Sequence, residues 1–124
     1  MNDRQRFGRA AERAAAEYLR RRGYRVICVN QRVGRGELDL VVRRGPVLAF
    51  VEVKARRSTV CGAPEEAVTV AKRRQIARLA EIWLASRPWA LLGVSDVRYD
   101  LVAVDLTRVP ARIRHLPDAF AADS

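Results

Sequence analysis

Residues 36–54, GELDLVVRRGPVLAFVEVK, constrain this chain more than any other stretch. Two runs rich in Val, Leu and Phe flank a break, which predicts strands at 37–42 and 47–54 with RRGP as the turn between them. Both runs are apolar enough for a buried sheet, yet they carry Glu37, Asp39, Glu52 and Lys54. An ionised group costs several kcal/mol to desolvate unless it is paired or binds a metal, so four on one hairpin require an explanation.

The surrounding sequence supplies the layers. Residues 7–22 have helical periodicity, with Ala11, Ala14, Ala15, Tyr18 and Leu19 on one stripe and Gly23 as the stop. YRVICVN, 24–30, predicts another strand ahead of the hairpin, and a loop follows the hairpin to about residue 63. Thr69 is placed to cap a helix running to about Ser86, with Ile76, Leu79, Ala80 and Trp83 as its buried face; Pro64, Glu65 and Glu66 suit an extra helical turn before it. VRYDLVAVDL, 97–106, predicts the fourth strand. The expected fold is therefore α/β, in the order helix, three strands, helix, strand. The 124 residues, about half of them hydrophobic, suit one domain with a core large enough to fold alone. The remainder, from Thr107, has two prolines and a polar end, and is expected to pack loosely and fray.

Side chains alternate along a strand, so Glu37 and Asp39 share one face, as do Glu52 and Lys54. If Val42 pairs with Val47, Glu37 lies opposite Glu52 and Asp39 opposite Phe50, and all four charges share a face. A slip of two residues brings Asp39 opposite Glu52 and preserves this, whereas a slip of one destroys it. Carboxylates about 5 Å apart repel unless a cation lies between them, and all-oxygen ligands suit Mg²⁺ or Mn²⁺. Lys54, roughly 7 Å along the strand from Glu52, is within reach of a water or phosphate oxygen there. It is one of only two lysines against 22 arginines. A compact amine with a shiftable pKa can position or deprotonate a nucleophilic water, a role closed to Arg. The same charges also read as a cross-strand ion pair of Lys54 with Glu37 or Glu52.

GELDLVV followed by FVEVK resembles the D…ExK core of the PD-(D/E)xK nuclease superfamily, the restriction-endonuclease-like fold. The chain is more closely similar to the small bacterial YraN-type proteins, through GRAAERAAAEYLRRRGY, NQRVGRGELDLV, FVEVKARR, AVTVAKRRQI, VRYDLVAV and RHLPDAF in order. No proline precedes Asp39, so the first element of the superfamily's name is absent. The resemblance implies a mixed sheet flanked by helices, with Asp39 as central metal ligand, Glu52 as second, the Val53 carbonyl as third and Lys54 as catalytic lysine. It also implies that Glu12 occupies the acidic position that related enzymes, including archaeal Holliday junction resolvases, place on the first helix. Glu37 reads as a secondary or water-mediated ligand, or as an ion-pair partner.

A formal charge of +10 and a pI near 11 point to a polyanion, with nucleic acid first, although 22 arginines and many alanines also fit a GC-rich genome. Arg32, Arg35, Arg56 and Arg57 flank the hairpin and suit a phosphate clamp; Lys72, Arg73 and Gln75, in the first turns of the second helix, also suit phosphate contact or a solvated helix end. Arg98 and Asp100 read as a salt bridge and His115 as structural. Cys28 and Cys61 have neither CxxC spacing nor a nearby His, which speaks against zinc or a disulfide framework. The charged amino-terminal stretch contains no apolar run, so a soluble, cytoplasmic protein without membrane attachment is expected. These readings converge on a Mg²⁺- or Mn²⁺-dependent nuclease acting on DNA, with branched or single-stranded forms as candidate substrates. The alternative is a non-catalytic nucleic-acid-binding module of a DNA-processing assembly, and the short loops point to a homodimer or a protein partner.

Overall fold

The computed structural model describes residues 2–56 and 68–121. Helix α1, Asp3–Arg21, begins four residues before the predicted start because Asn2 and Gln5 form a reciprocal cap. Asn2 Oδ1 accepts the Gln5 N–H at 2.8 Å and Gln5 Oε1 accepts the Asn2 N–H at 3.1 Å. Beyond α1 the chain turns at Gly23, whose φ of 88° is open to glycine, and the Tyr24 N–H returns to the Leu19 carbonyl.

Strands β1 (Arg25–Val33), β2 (Gly36–Arg44), β3 (Val47–Arg56), β4 (Asp96–Asp105) and β5 (Arg112–Leu116) form one sheet in chain order. Its pairings are antiparallel except β3 with β4, whose parallel alignment requires the crossover that contains helix α2, Val70–Ala85. Helix, three strands, helix and strand thus follow in the order expected from the sequence, with β5 added after them. Thr69 caps α2, accepting the Lys72 N–H at 3.1 Å.

The two helices cover opposite faces of the sheet. Ala11, Ala15, Ala16 and Leu19 of α1 pack on Leu40, Val42, Ala49, Val51, Val102 and Val104. Ile76, Ala77, Leu79, Ala80 and Trp83 of α2 pack on Leu38, Val41, Leu48, Phe50, Tyr99 and Leu101. Being buried on both faces is why the hairpin strands are nearly continuous in apolar residues, where a sheet with one wet face would alternate. Cys28 lies against the α2 side, where burial pushes its thiol up.

Arg44 pairs with Val47 and Leu40 with Val51, so the hairpin sits two residues from the Val42–Val47 register. The reason is the turn: Gly45, at φ 57°, and Pro46 close it alone, leaving Arg43 and Arg44 in the strand. An even shift keeps the paired residues on their expected faces, but past the end of the ladder parity breaks. Leu38 packs under α2 although Leu40 packs under α1, and Glu37 meets Arg9 of α1 while Glu52 meets Lys72 of α2, so the four charges do not share one face.

The segment after Thr107 departs from the expectation of loose packing. Residues 112–116 pair with β4 from Leu101–Leu116 to Asp105–Arg112, and Phe120 is buried with its ring stacked on Tyr99 at 5.6 Å. The buried Asp100 anchors this segment, because its carboxylate accepts from Arg98 (3.1 and 2.9 Å), meets His115 Nε2 at 2.8 Å and accepts the Asp118 N–H at 2.9 Å. The Arg98–Asp100 salt bridge is thus present within a larger network, and His115 has the structural place expected of it, on the same carboxylate. Arg57, Cys61 and the extra helical turn at Pro64–Glu66 lie outside the described residues. No described helix is long and apolar enough to cross a membrane.

Candidate functional site

The β2–β3 ladder ends at Leu40–Val51, and one step beyond it the Asp39 side chain takes over. Its Oδ2 accepts the Val53 N–H at 2.8 Å, which fixes the carboxylate against β3. Glu12 projects from α1 and Glu37 from the start of β2. One carboxylate oxygen each from Glu12, Glu37 and Asp39 lies within 4.8 Å of the others, a spacing that suits a hard divalent cation. Glu52 lies outside that group, on the other side of Asp39; it is 6% exposed, and its buried Oε2 accepts no hydrogen bond. Its cationic neighbour is Lys72, Nζ to Oε2 3.7 Å.

The electrostatics follow from this crowding. Burial, and then the facing Glu52 carboxyl, push Asp39 up to about 8, against the opposing pull of the Val53 N–H and Lys72. Burial, and then Asp39, raise Glu12 to about 7, with Arg9 and an Asn30 hydrogen bond pulling the other way. Glu12 and Asp39 therefore hold protons near neutral pH. Carboxyl groups that burial and mutual repulsion keep protonated, beside a buried oxygen without a donor, are oxygen ligands of the kind that suit a Mg²⁺- or Mn²⁺-sized ion.

A cavity of about 600 Å³ opens over the cluster, lined by Glu12, Asp39, Val53 and Lys54, with Arg4 and Phe7 on its α1 side. Lys54 makes no ion pair among the described residues. Both of its expected partners are taken: Arg9 Nη1 lies 2.9 Å from Glu37 and 3.2 Å from Glu12, and Lys72 faces Glu52. The structure thus brings Glu12, Glu37, Asp39, Glu52, Val53, Lys54 and Lys72 together.

The remaining predicted contacts scatter. Arg32 and Arg35 are exposed around the β1–β2 turn, with Arg32 in register with Glu37. Arg56 lines a separate small cavity with Arg112 and Arg114. Arg73 turns its Nε to the Val68 carbonyl at 3.0 Å, and Gln75 is half-buried on α2.

Two residues of the site had escaped the sequence reading. Arg9 sits one turn before Glu12, and that i,i+3 spacing was the available signal. Asn30 lies between the Val29–Leu40 and Gln31–Leu38 pairs, beside Asp39, at a φ of 52°. Asn is among the few residues that tolerate this conformation, and its Oδ1 is buried without a hydrogen-bond partner.

Residues 11–104 match the family described as uncharacterised protein family UPF0102, and the chain belongs to that family. A UPF0102 protein of Symbiobacterium thermophilum is 49% identical over 102 residues, covering 81% of this chain and 82% of that one. A UPF0102 protein of Syntrophotalea carbinolica is 44% identical over 117 residues, 94% of this chain and 93% of its own. Among solved structures, Pyrococcus furiosus SfsA in complex with Ca²⁺ aligns with a TM-score of 0.38 and 17% identity, over 91% of this chain and 62% of that one. At that score the likeness supports no conclusion.

Proposed function

We propose that this chain is a divalent-metal-dependent phosphodiesterase acting on nucleic acid, DNA before RNA. The observation that carries the reading is the meeting of Glu12, Glu37 and Asp39, from two elements of the fold, within 4.8 Å, with Glu12 and Asp39 lining a cavity that Lys54 also lines. Glu12, Glu37 and Asp39 would hold Mg²⁺ or Mn²⁺, with Glu52 and the Val53 carbonyl as the adjoining oxygen donors. When bound, such an ion neutralises charge on a scissile phosphate as a Lewis acid. Lys54, with no carboxylate partner among the described residues, is available to orient a water for in-line attack and to place its positive charge beside the phosphate. Arg4 lines the α1 side of the cavity, where a phosphate oxygen would meet a positive charge. The net charge of +10 supports a polyanionic substrate.

One observation favours a second reading, a nucleic-acid-binding module that cleaves nothing. Arg9 already bridges Glu12 and Glu37, and Lys72 faces Glu52, so internal cations partly neutralise the cluster. The deciding experiment is incubation with linear, single-stranded, flap and four-way-junction DNA in Mg²⁺ or Mn²⁺. Cleavage by the wild type that Asp39→Asn abolishes supports the enzyme. Binding without cleavage of any substrate overturns it in favour of the module.

A further inference from the structure

At the opposite end of the β2–β3 hairpin, beside its turn, lies a second cavity of about 520 Å³ with a different character. Arg25, Arg43 and Arg44 line it, together with Trp89 and Leu92, and no acidic side chain does. None of the three arginines pairs with a carboxylate among the described residues. Arg25 and Arg43 are direct cross-strand partners, an arrangement of like charges that destabilises a sheet unless an anion shares the site.

Two of these guanidinium groups are held in place by the protein itself. Arg43 donates from Nε to the Gly45 carbonyl at 2.8 Å and from Nη1 to the Ala90 carbonyl at 3.4 Å. Arg44 lies over the Tyr24 ring, 4.4 Å from its centroid, and donates to the Arg22 carbonyl at 3.3 Å. Carbonyls and a ring face orient a guanidinium without cancelling its charge, so each keeps N–H groups for an incoming acceptor. Trp89 stands at the rim, 53% exposed, its ring set edge-on against the fully buried Trp83 at 6.0 Å. Leu92 beside it is 74% exposed.

Unneutralised guanidinium groups next to an exposed, braced indole are the two halves of a single-strand site, a phosphate clamp and a base platform. We propose that this cavity is a second nucleic-acid contact, in which Arg25, Arg43 and Arg44 hold successive backbone phosphates of a single strand and Trp89 stacks one of its bases. The inference rests on the nucleic-acid reading above and extends it, because the cavity lies five residues along β2 from Asp39, about 17 Å. A strand gripped here would be anchored away from the carboxylates, and the two places would act on one molecule only if it spans that interval.

The test uses an oligo(dT) of about twelve nucleotides in metal-free buffer, with anisotropy across a salt series and tryptophan emission read together. Because Trp83 is buried, quenching on binding reports Trp89. Arg25→Gln/Arg44→Gln should reduce the salt slope by about 1.4, two single-strand phosphate contacts. Trp89→Ala should weaken binding about tenfold and Trp89→Phe by much less, since a phenyl ring still stacks. Mn²⁺ binding should be unchanged in all three variants, which also shows that they fold. If the wild type binds oligo(dT) while the variants keep its slope and affinity and no quenching occurs, this second contact is wrong and the nucleic-acid reading stands. If the variants weaken duplex DNA alone, the single-strand assignment is overturned. A wild type that binds no nucleic acid at low salt overturns both.

Discussion

Asp39 stands in for the β2 backbone at the point where the strands part, its carboxylate accepting the Val53 N–H at 2.8 Å. The group that would hold a metal is therefore also a structural acceptor, and variants at this position have two separable effects. Asparagine retains an acceptor oxygen and removes the charge. Asp39→Asn should abolish cleavage while melting, without metal at pH 8 or above, at a temperature equal to or higher than the wild type. Asp39→Ala loses the acceptor as well, and leaving the Val53 N–H unpaired should cost about 1–3 kcal/mol relative to Asp39→Asn in urea melts.

The raised carboxyls fix the sign of the pH dependence. Glu12 and Asp39 would ionise near 4 in the unfolded chain but at about 7 and about 8 in the fold. Between those limits the folded state holds more protons, so their contribution to metal-free stability falls as pH rises from about 4 to about 8. A bound cation reverses this by favouring the ionised forms. The rise in melting temperature on adding Mn²⁺ should accordingly be larger at pH 8 than at pH 6, and calorimetry should detect protons released on binding.

Arg9 competes with any cation from solution. Removing it by Arg9→Met leaves Glu12 and Glu37 without their bridging guanidinium, so Mn²⁺ should bind more tightly than to the wild type in isothermal titration. With Arg9 about one-third exposed, the loss of metal-free stability should be no more than about 1 kcal/mol. Weaker Mn²⁺ binding in this variant would show that Arg9 supports the metal set.

Lys54→Ala should leave Mn²⁺ binding near the wild-type value and lower the cleavage rate by about 10² or more, the scale of losing a charge-stabilising group. A variant that cleaves at the wild-type rate would remove Lys54 from the mechanism.

Asp100 offers a control distant in function. Burial pushes its carboxyl up, but His115, Arg98 and the Asp118 N–H outweigh this and hold it below the ordinary range. Its stabilisation is therefore present above about pH 4 and lost as the solution is acidified through the lowered value. Asp100→Asn should cost about 3 kcal/mol at neutral pH, because Arg98 is left buried without its counter-charge. Hydrogen exchange should show β5 opening first.

The elements legible in the sequence were those whose apolar pattern is read along one segment. The α2 face of Ile76, Leu79, Ala80 and Trp83 and the Thr69 cap appear as expected because spacing and cap chemistry are local. Parity brought Asp39 and Glu52 together even with the register two residues away, but it failed for Glu37, which lies beyond the paired part of the hairpin and turns to Arg9 on α1. Ion pairing was illegible for the opposite reason. Which cation meets Glu37 or Glu52 depends on how α1 and α2 dock, and Arg9 and Lys72 won positions that spacing within the hairpin offered to Lys54. Strand β5 was hidden by its flanking prolines, Pro110 and Pro117, and by reliance on Asp100, which holds it from another strand. The +10 charge has no location in the sequence, and the Arg25–Arg43 pairing emerges only once β1 and β2 are aligned.

Strand order matching chain order has a consequence for synthesis. Glu12, Glu37, Asp39, Glu52 and Lys54 all leave the ribosome within the first 54 residues, but β3 acquires its second neighbour only when β4 arrives at Asp96. Until then the nascent chain presents an unpaired strand edge flanked by Phe50 and Val51, a surface prone to sticking to its own kind. A fragment ending before β4 would carry every acidic group of the cluster with that edge bare, so the second half of the chain, which contributes no carboxylate to it, supplies the strand that covers the first half.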